Sequence, residues 1–147
     1  MSAQGAAAFE WPIRVYWEDT DAGGIVFYAN YLKFFERART EWLRALGLHQ
    51  SALREGTDGA PGGMFVVAAA QLRYLRPARL DDELIVTARL QTPGRTALHI
   101  AQQAFLHTAR GPSRELLCEG SIRVGWVQAD TLKPARIPPA IVEKLHP

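Results

Sequence analysis

The longest amphipathic pattern in the chain lies between residues 31 and 46. Apolar side chains recur there at spacings of three and four residues, which is the period of an α-helix. These positions are Tyr31, Phe34, Phe35, Ala38, Trp42, Ala45 and Leu46. Asn30 is expected to cap the start of this helix, and Gly47 is expected to end it. Because bulky aromatic residues cover much of its circumference, the helix should be mostly buried.

After residue 63 the pattern changes to the two-residue alternation of β-strands. Four segments alternate between apolar and polar positions, namely residues 66–74, 84–91, 98–107 and 116–126. Short connections at residues 93–95 and 109–113 separate the last three. Because a parallel crossover needs about a dozen residues or more, these strands should be antiparallel neighbours. A shorter alternation predicts an earlier strand at residues 13–17.

Less regular segments flank these elements. Residues 1–10 are predicted to form a disordered tail, which leaves residues 11–147 as a single domain. Residues 56–63 have the composition of a loop, and they separate a short helical turn at residues 48–54 from the strands. A proline pair at residues 138–139 precedes a short apolar segment, which predicts a terminal helix.

One long apolar helix followed by four or so antiparallel strands has few ways to pack. The sheet must bury one face, and this helix is the only predicted element large enough to cover it. The sequence therefore predicts an α+β fold in which an antiparallel sheet wraps around one long central helix. Such a sheet has an unpaired edge strand, which favours pairing between subunits and hence a dimer.

Composition limits the class of protein. With 147 residues and 48% apolar content, the chain is long enough to bury roughly two-thirds of its unfolded surface in one domain. Its formal charge of +2 argues against a nucleic-acid partner. The apolar runs fall short of the ~18 residues that insert into a membrane, and the N-terminus does not resemble a signal peptide. We therefore expect a soluble cytoplasmic protein, in which the single cysteine, Cys118, is a small core residue.

A loop with two aspartates directly precedes the long helix. Asp19 and Asp21 are followed by Gly23 and Gly24, which let the backbone adopt a positive φ or approach a ligand closely. An aspartate with an ordinary pKa of about 3.9 is charged at pH 7. A helix N-terminus adds unpaired N–H groups and about half a positive charge. This combination has the layout of an active site.

Other interpretations give some of these polar residues simpler roles. Either loop aspartate could cap a turn through its side chain, and this is the better explanation for Asp19. A calcium loop is not predicted, because the twelfth position counted from Asp19 is Asn30 rather than a glutamate. Glu36 is a second carboxylate candidate, but an ion pair with Arg39 or Lys33, either in the helix or across the subunit interface, accounts for it better. The histidines have no ligand spacing, so no metal site is expected.

Three stretches of the sequence together resemble a known family. They are RVYWEDTDAGGIVFYANYLKFFERARTEWL at residues 14–43, FVV at residues 65–67 and YLRPARLDDEL at residues 74–84. Over about residues 11–145 the chain is similar to the hotdog-fold acyl-CoA thioesterases, and within them to the Tol-Pal-associated subfamily and its 4-hydroxybenzoyl-CoA thioesterase relatives. The resemblance implies a helix enclosed by an antiparallel sheet, dimers that often pair into homotetramers, active sites at the subunit interface, and no cofactor.

The resemblance also implies which residues carry the activity, the hydrolysis of a short-chain or aromatic acyl-CoA to the free acid and CoA. The family's catalytic aspartate corresponds to Asp21, either as nucleophile or as general base. The backbone N–H that polarises the thioester carbonyl corresponds to that of Tyr28. Tyrosine at this position matches the 4-hydroxybenzoyl-CoA type. Tol-Pal-associated members often have a histidine there, and a tyrosine in place of Trp17.

Candidate substrate contacts follow from the chemistry of acyl-CoA. CoA carries phosphates, and Arg95 in the predicted hairpin turn is either a contact for the nucleotide or a solvated turn residue. The weaker arginine candidates are Arg73, Arg76 and Arg110. Phe27 and Tyr31, together with Tyr28, fit either an aromatic or a short aliphatic acyl group.

Two other functions are compatible with this kind of fold. A hotdog acyl-thioester dehydratase would need a catalytic histidine near the helix, and no histidine lies between Met1 and Leu48. A non-catalytic module that binds acyl-CoA or a partner protein is the second alternative. Release of free thiol from a panel of acyl-CoAs separates both from thioester hydrolysis.

Overall fold

The computed structural model describes residues 8–56, 61–107 and 114–146. Within them, five strands form one antiparallel sheet. They are β1 (Phe9–Arg14), β2 (Gly63–Tyr74), β3 (Glu83–Pro93), β4 (Ala97–His107) and β5 (Arg114–Gln128). The strands lie in the order β1-β3-β4-β5-β2, so β1 and β2 occupy opposite edges. The four strands predicted after residue 63 and their antiparallel pairing are confirmed.

The described chain also contains the three predicted helical segments, which are α1 (Tyr31–Ala45), α2 (Gln50–Glu55) and α3 (Pro139–Leu145). A Schellman motif ends α1. In it, the Leu48 N–H donates to the Leu43 carbonyl over 2.8 Å, and Gly47 has φ = +83°. Glycine adopts this backbone conformation without strain, so Gly47 is the helix stop that the sequence predicts.

The core lies between α1 and one face of the sheet. Phe34, Phe35 and Ala38 on α1 are fully buried, as is Leu84 on β3. Burial of each large apolar side chain contributes about 1.5–3 kcal/mol to stability. A Cβ at Gly120 of β5 would lie only 3.1 Å from the Phe35 ring, so glycine at this position lets α1 approach β5 closely. The predicted α+β fold, with one long helix packed on an antiparallel sheet, is confirmed.

Strand β2 is an edge strand whose only neighbour in the described part of the sheet is β5. Val66 and Val67 are both exposed, the latter by 53%, although consecutive strand residues point to opposite faces. The following alanines, residues 68–70, are exposed as well. Over residues 66–70 both faces of this strand are therefore exposed in the isolated protomer, whereas Phe65 and Leu72 pack against the core.

The predicted strand at residues 13–17 is wrong in its bounds. Strand β1 spans Phe9–Arg14 and begins inside the segment predicted as a disordered tail, of which residues 1–7 lie outside the described chain. Pairing with β3 sets these bounds, because Ile13 lies opposite the buried Leu84. Trp17 instead begins a 3-10 turn and is 79% exposed. The alternation of apolar and polar residues runs on to Trp17, but the last residue of β1 that pairs with β3 is Arg14. The sequence pattern therefore overestimates how far the strand extends.

Some predictions fall outside the described residues. These are the connection at residues 109–113, the candidate Arg110, and much of the loop at residues 56–63. In the ranges that the structure describes, no helix combines the length and the hydropathy needed to cross a lipid bilayer.

Candidate active site

The loop between β1 and α1 folds back on itself as a small hairpin (residues 20–26), here called the catalytic hairpin because it contains Asp21, the candidate catalytic residue. Thr20 and Val26 form an antiparallel bridge, and the Asp21 N–H donates to the Ile25 carbonyl over 2.9 Å. Gly24 closes the turn with φ = +78°, and its N–H donates to the Asp21 carbonyl over 3.0 Å. The positive φ predicted for the glycine pair is thus confirmed at Gly24.

This hairpin fixes one oxygen of the Asp21 carboxylate. Oδ1 accepts the Gly23 N–H at 2.8 Å and the Ile25 N–H at 3.4 Å. The side chain is exposed, and its Oδ2 accepts no hydrogen bond from any other described residue. Because the hairpin orients the carboxylate and leaves one oxygen open, turn capping and chemistry are compatible at Asp21.

Asp19 lies in a different environment, although it is only two residues earlier. It is 3% exposed. Its Oδ2 accepts the Tyr16 N–H at 2.8 Å, and its Oδ1 accepts a proton of the Asn30 side-chain amide at 2.9 Å. Its backbone carbonyl accepts the Phe27 N–H at 3.1 Å. Asp19 therefore caps a turn, as predicted, and also joins the start of the loop to the start of α1.

Tyr28 begins a 3-10 turn, Tyr28–Asn30, that runs directly into α1. Its backbone N–H has no acceptor among the described residues, as expected for the first amides of a helix. The residue is 63% exposed, and the aligned peptides of α1 give this end of the helix a partial positive charge. The Tyr28 N–H is thus unpaired within the described chain and belongs to an exposed residue.

Aromatic rings border this amide. The ring centroids of Phe27 and Tyr28 lie 4.7 Å apart, and those of Tyr28 and Tyr74 lie 6.2 Å apart. All three rings are largely exposed. Tyr74 is not among the predicted contacts, because the sequence pattern only identifies it as a strand residue. Its proximity to Tyr28 depends on how β2 ends beside α1.

Tyr31, a predicted acyl contact, is instead buried in the protomer. It is 3% exposed, and burial raises the pKa of its hydroxyl. That hydroxyl accepts the Ala78 N–H at 3.2 Å. The Ala78 carbonyl in turn accepts the Val26 N–H at 2.8 Å. Tyr31 therefore supports the catalytic hairpin from behind, through the segment that follows β2.

The predicted phosphate-binding arginines occupy different settings. Arg95 lies in the turn between β3 and β4 and is exposed, and none of its described contacts involves the catalytic hairpin. Arg73 pairs with Glu119 at 3.2 Å, and Arg76 pairs with Glu115 at 3.2 Å. The last two guanidinium groups therefore already have carboxylate partners.

The remaining candidates have other surroundings. Glu36 and Arg39 line a cavity of about 180 Å³ between α1 and the sheet. Within the described chain, Glu36 makes no ion pair shorter than 4 Å, so the predicted pair with Arg39 or Lys33 is absent from the protomer. Cys118 is completely buried, which confirms it as a core residue, and burial raises the pKa of its thiol to about 12.

Sequence comparison relates the chain to known enzymes. The Thioesterase-like superfamily matches residues 15–145 of the chain. Over 134 residues the chain is 40% identical to the acyl-CoA thioester hydrolase YbgC of Escherichia coli O6:H1, and this alignment covers 91% of the chain and 92% of that protein.

Solved structures agree with this relationship. A probable thioesterase from Bartonella henselae has a TM-score of 0.80 and 31% identity, and the match covers 90% of this chain and 100% of that one. An aspartate-to-asparagine mutant of 4-hydroxybenzoyl CoA thioesterase, complexed with 4-hydroxybenzoyl CoA, has a TM-score of 0.81 at 19% identity over 95% of this chain and 99% of that one, which shows a common fold. The chain therefore has the hotdog fold and belongs to the Thioesterase-like superfamily, as an acyl-CoA thioesterase.

Proposed function

We propose that the chain hydrolyses acyl-CoA with Asp21 as nucleophile or general base and with the Tyr28 N–H as donor to the thioester carbonyl oxygen. One observation carries this proposal. The catalytic hairpin holds a carboxylate with one open oxygen on its first arm, and its second arm leads to an unpaired amide at a helix N-terminus. A charged oxygen and an N–H donor, both open to solvent, are the two groups that thioester hydrolysis requires.

Two routes use the same groups. In the nucleophilic route, Asp21 Oδ2 bonds to the thioester carbon, the C–S bond breaks and CoA leaves as its thiolate, and water then cleaves the mixed anhydride. In the general-base route, Asp21 Oδ2 takes a proton from a water molecule whose oxygen attacks the same carbon; the C–S bond then breaks, and CoA leaves as its thiolate, which takes up a proton to give the thiol. In both, negative charge develops on the carbonyl oxygen, where a donor such as the Tyr28 N–H accelerates the reaction by about 100- to 1,000-fold.

The proposed substrates are short-chain aliphatic or aromatic acyl-CoA thioesters. The exposed rings of Phe27, Tyr28 and Tyr74 border the donor amide, so an acyl group held there meets apolar and aromatic surface. The 4-hydroxybenzoyl CoA bound to the structural relative is a thioester of the aromatic kind. Arg95 is the proposed contact for the CoA phosphates. The proposed reaction uses neither a cofactor nor a nucleic acid.

The functional unit is proposed to be a dimer joined through β2, or a homotetramer of such dimers. Strand β2 offers an unpaired edge and an exposed apolar segment at residues 66–70, and an exposed apolar edge strand favours pairing with another chain. This unit is proposed to act in the cytoplasm, as a member of the Tol-Pal-associated subfamily that the sequence resembles. Light scattering should give at least twice the protomer mass of 16.3 kDa. An active, stable monomer at nanomolar concentration would rule out a site shared between subunits.

The role of Asp21 is tested by Asp21→Asn. Asparagine still accepts the Gly23 N–H but loses the charged open oxygen, so kcat for thiol release should fall by at least about 1,000-fold while KM changes little. Asp19→Asn is the matched control. Its oxygen still accepts the Tyr16 N–H, and its NH2 group can donate to the Asn30 oxygen once that amide turns over, so both contacts survive and kcat should stay within about tenfold. Comparable losses in both variants, accompanied by lower thermal stability, would show that the loop aspartates are structural.

A further inference from the structure

We propose that Asn30 is a positioning residue, which acts through Asp19 to hold the Tyr28 amide in register with Asp21. This inference rests on the proposed function, because it assigns a role in orienting the two groups of that site. Asn30 touches neither of them directly. The contact between the Asn30 amide and the Asp19 carboxylate is here called the Asp19–Asn30 clamp.

Both side chains of the clamp are buried, and a hydrogen bond joins them. Asn30 is 8% exposed and Asp19 is 3% exposed, and the amide nitrogen of Asn30 lies 2.9 Å from Asp19 Oδ1. The sequence pattern predicts that Asn30 caps α1, but its side chain makes no capping hydrogen bond. Instead, Asn30 has helical backbone angles in the 3-10 turn that precedes α1, and its side chain points back to the loop.

The clamp brackets the peptide that carries the proposed donor. Phe27, immediately before Tyr28, donates its N–H to the Asp19 carbonyl over 3.1 Å. Asn30, two residues after Tyr28, donates its side-chain amide to the Asp19 carboxylate. The Asn30 N–H also donates to the Phe27 carbonyl over 2.8 Å. The Tyr28 peptide is thus fixed on both sides to a residue that lies two positions before Asp21.

The buried Asp19 carboxylate depends on the hydrogen bond that Asn30 donates to it. In the described chain no cation lies within 4 Å of this carboxylate, which receives only the Tyr16 N–H and the Asn30 amide. A buried carboxylate that loses one of two donors is strongly destabilised where it stands. The loop is then expected to shift, and a misplacement of about 1 Å at a reacting group costs up to ~100-fold in rate.

A swap of the two side chains tests the clamp. Asn30→Asp places two carboxylates against each other, so kcat should fall by about 10- to 100-fold with KM changed by less than about threefold. The double variant Asp19→Asn/Asn30→Asp restores both hydrogen bonds. The new asparagine accepts the Tyr16 N–H with its oxygen and donates its amide to the carboxylate introduced at position 30. The kcat of the double variant should return to within about threefold of the wild-type value.

Gln102→Leu supplies a matched control for the loss of a buried amide contact. The Gln102 amide donates to the Phe35 carbonyl in the middle of α1 and to the Thr87 carbonyl on β3, and it contacts neither Asp19 nor the catalytic hairpin. This variant should lower the melting temperature, while kcat at 25 °C is expected to stay within about threefold. If Asn30→Asp does not fold, Asn30→Ala replaces it in the comparison.

Two results would refute the proposed positioning role of Asn30. One is an Asn30 variant that lowers the melting temperature but keeps the wild-type kcat, as the Gln102 control is expected to do. The other is a double variant that regains thermal stability without regaining kcat. Asp21→Asn measured in the same series separates this inference from the proposed function. If Asp21→Asn is inactive while the Asn30 variants keep full kcat, only the clamp is wrong; if Asp21→Asn stays active, the proposed function itself fails.

Discussion

Alanine at Gly23 should impair the reaction without weakening the fold. A Cβ at Gly23 would lie 3.3 Å from Asp21 Oδ1, so the carboxylate must move by a few tenths of an ångström. The same oxygen accepts the Gly23 N–H at 2.8 Å, and its movement therefore lengthens the bond that orients it. Since a misplacement of about 1 Å costs up to about 100-fold in rate, we expect a decrease in kcat of about 3- to 30-fold.

Gly24→Ala is the matched control variant, which should lower the thermal stability but leave kcat nearly unchanged. Gly24 has φ = +78°, and no heavy atom lies within 4 Å of the position that its Cβ would take. The cost is therefore backbone strain alone, about 1–2 kcal/mol for a residue with a side chain. That strain lowers the melting temperature of a domain of this size by roughly 3–8 °C. The kcat of the folded enzyme at 25 °C should stay within about threefold of the wild-type value.

The two variants are compared by initial rates of thiol release at saturating acyl-CoA and by thermal unfolding followed with circular dichroism. Gly24→Asn serves as a further control, because asparagine tolerates a positive φ better than alanine and should recover part of the lost stability. Wild-type kcat in Gly23→Ala would refute the idea that the orientation of Asp21 Oδ1 matters. If Gly23→Ala and Gly24→Ala lose kcat and stability to the same extent, Gly23 has no specific role in orienting Asp21, and both variants act only by straining the loop.

Two further predictions concern the donor amide and the CoA phosphates. Tyr28→Phe keeps the backbone N–H, so activity should stay within about tenfold; a loss as large as that of Asp21→Asn would assign the chemistry to the hydroxyl instead. Arg95→Ala should raise KM for acyl-CoA, yet hardly alter the hydrolysis of an acyl-pantetheine thioester, which lacks the nucleotide phosphates. Equal effects on both substrates would exclude a phosphate contact at Arg95.

The helices and strands of this fold can be predicted from the sequence because each one buries a single face, and this gives its apolar residues a regular spacing. The apolar spacing of α1 and the alternation of the last four strands each follow from which side of an element faces the core. Gly47 is equally predictable, since a Schellman motif needs a residue that tolerates a positive φ. The packing of the helix on the sheet then follows, because no other element is large enough to cover an apolar sheet face.

The site is only partly predictable, because its supports come from distant residues. Asp21 and Tyr28 are suggested by a loop and a helix start that are adjacent in sequence. The contacts of Asn30 with Asp19 and of Tyr31 with Ala78 depend on how the loop folds back. The spacing of apolar residues along the sequence does not predict such contacts. For the same reason the bounds of β1 differ from the prediction, since the register with β3 decides where pairing ends.

The strand order has a consequence for how the protein folds. Strands β3, β4 and β5 follow one another in sequence and pair as neighbours, whereas β1 must find β3 and β2 must find β5 across long stretches of chain. Contacts between residues far apart in sequence close large loops and form slowly. We therefore expect the central three strands to assemble first and both edges to join late. The catalytic hairpin lies between β1 and β2, so enzymatic activity should be among the last properties to return during refolding, after most of the sheet has formed.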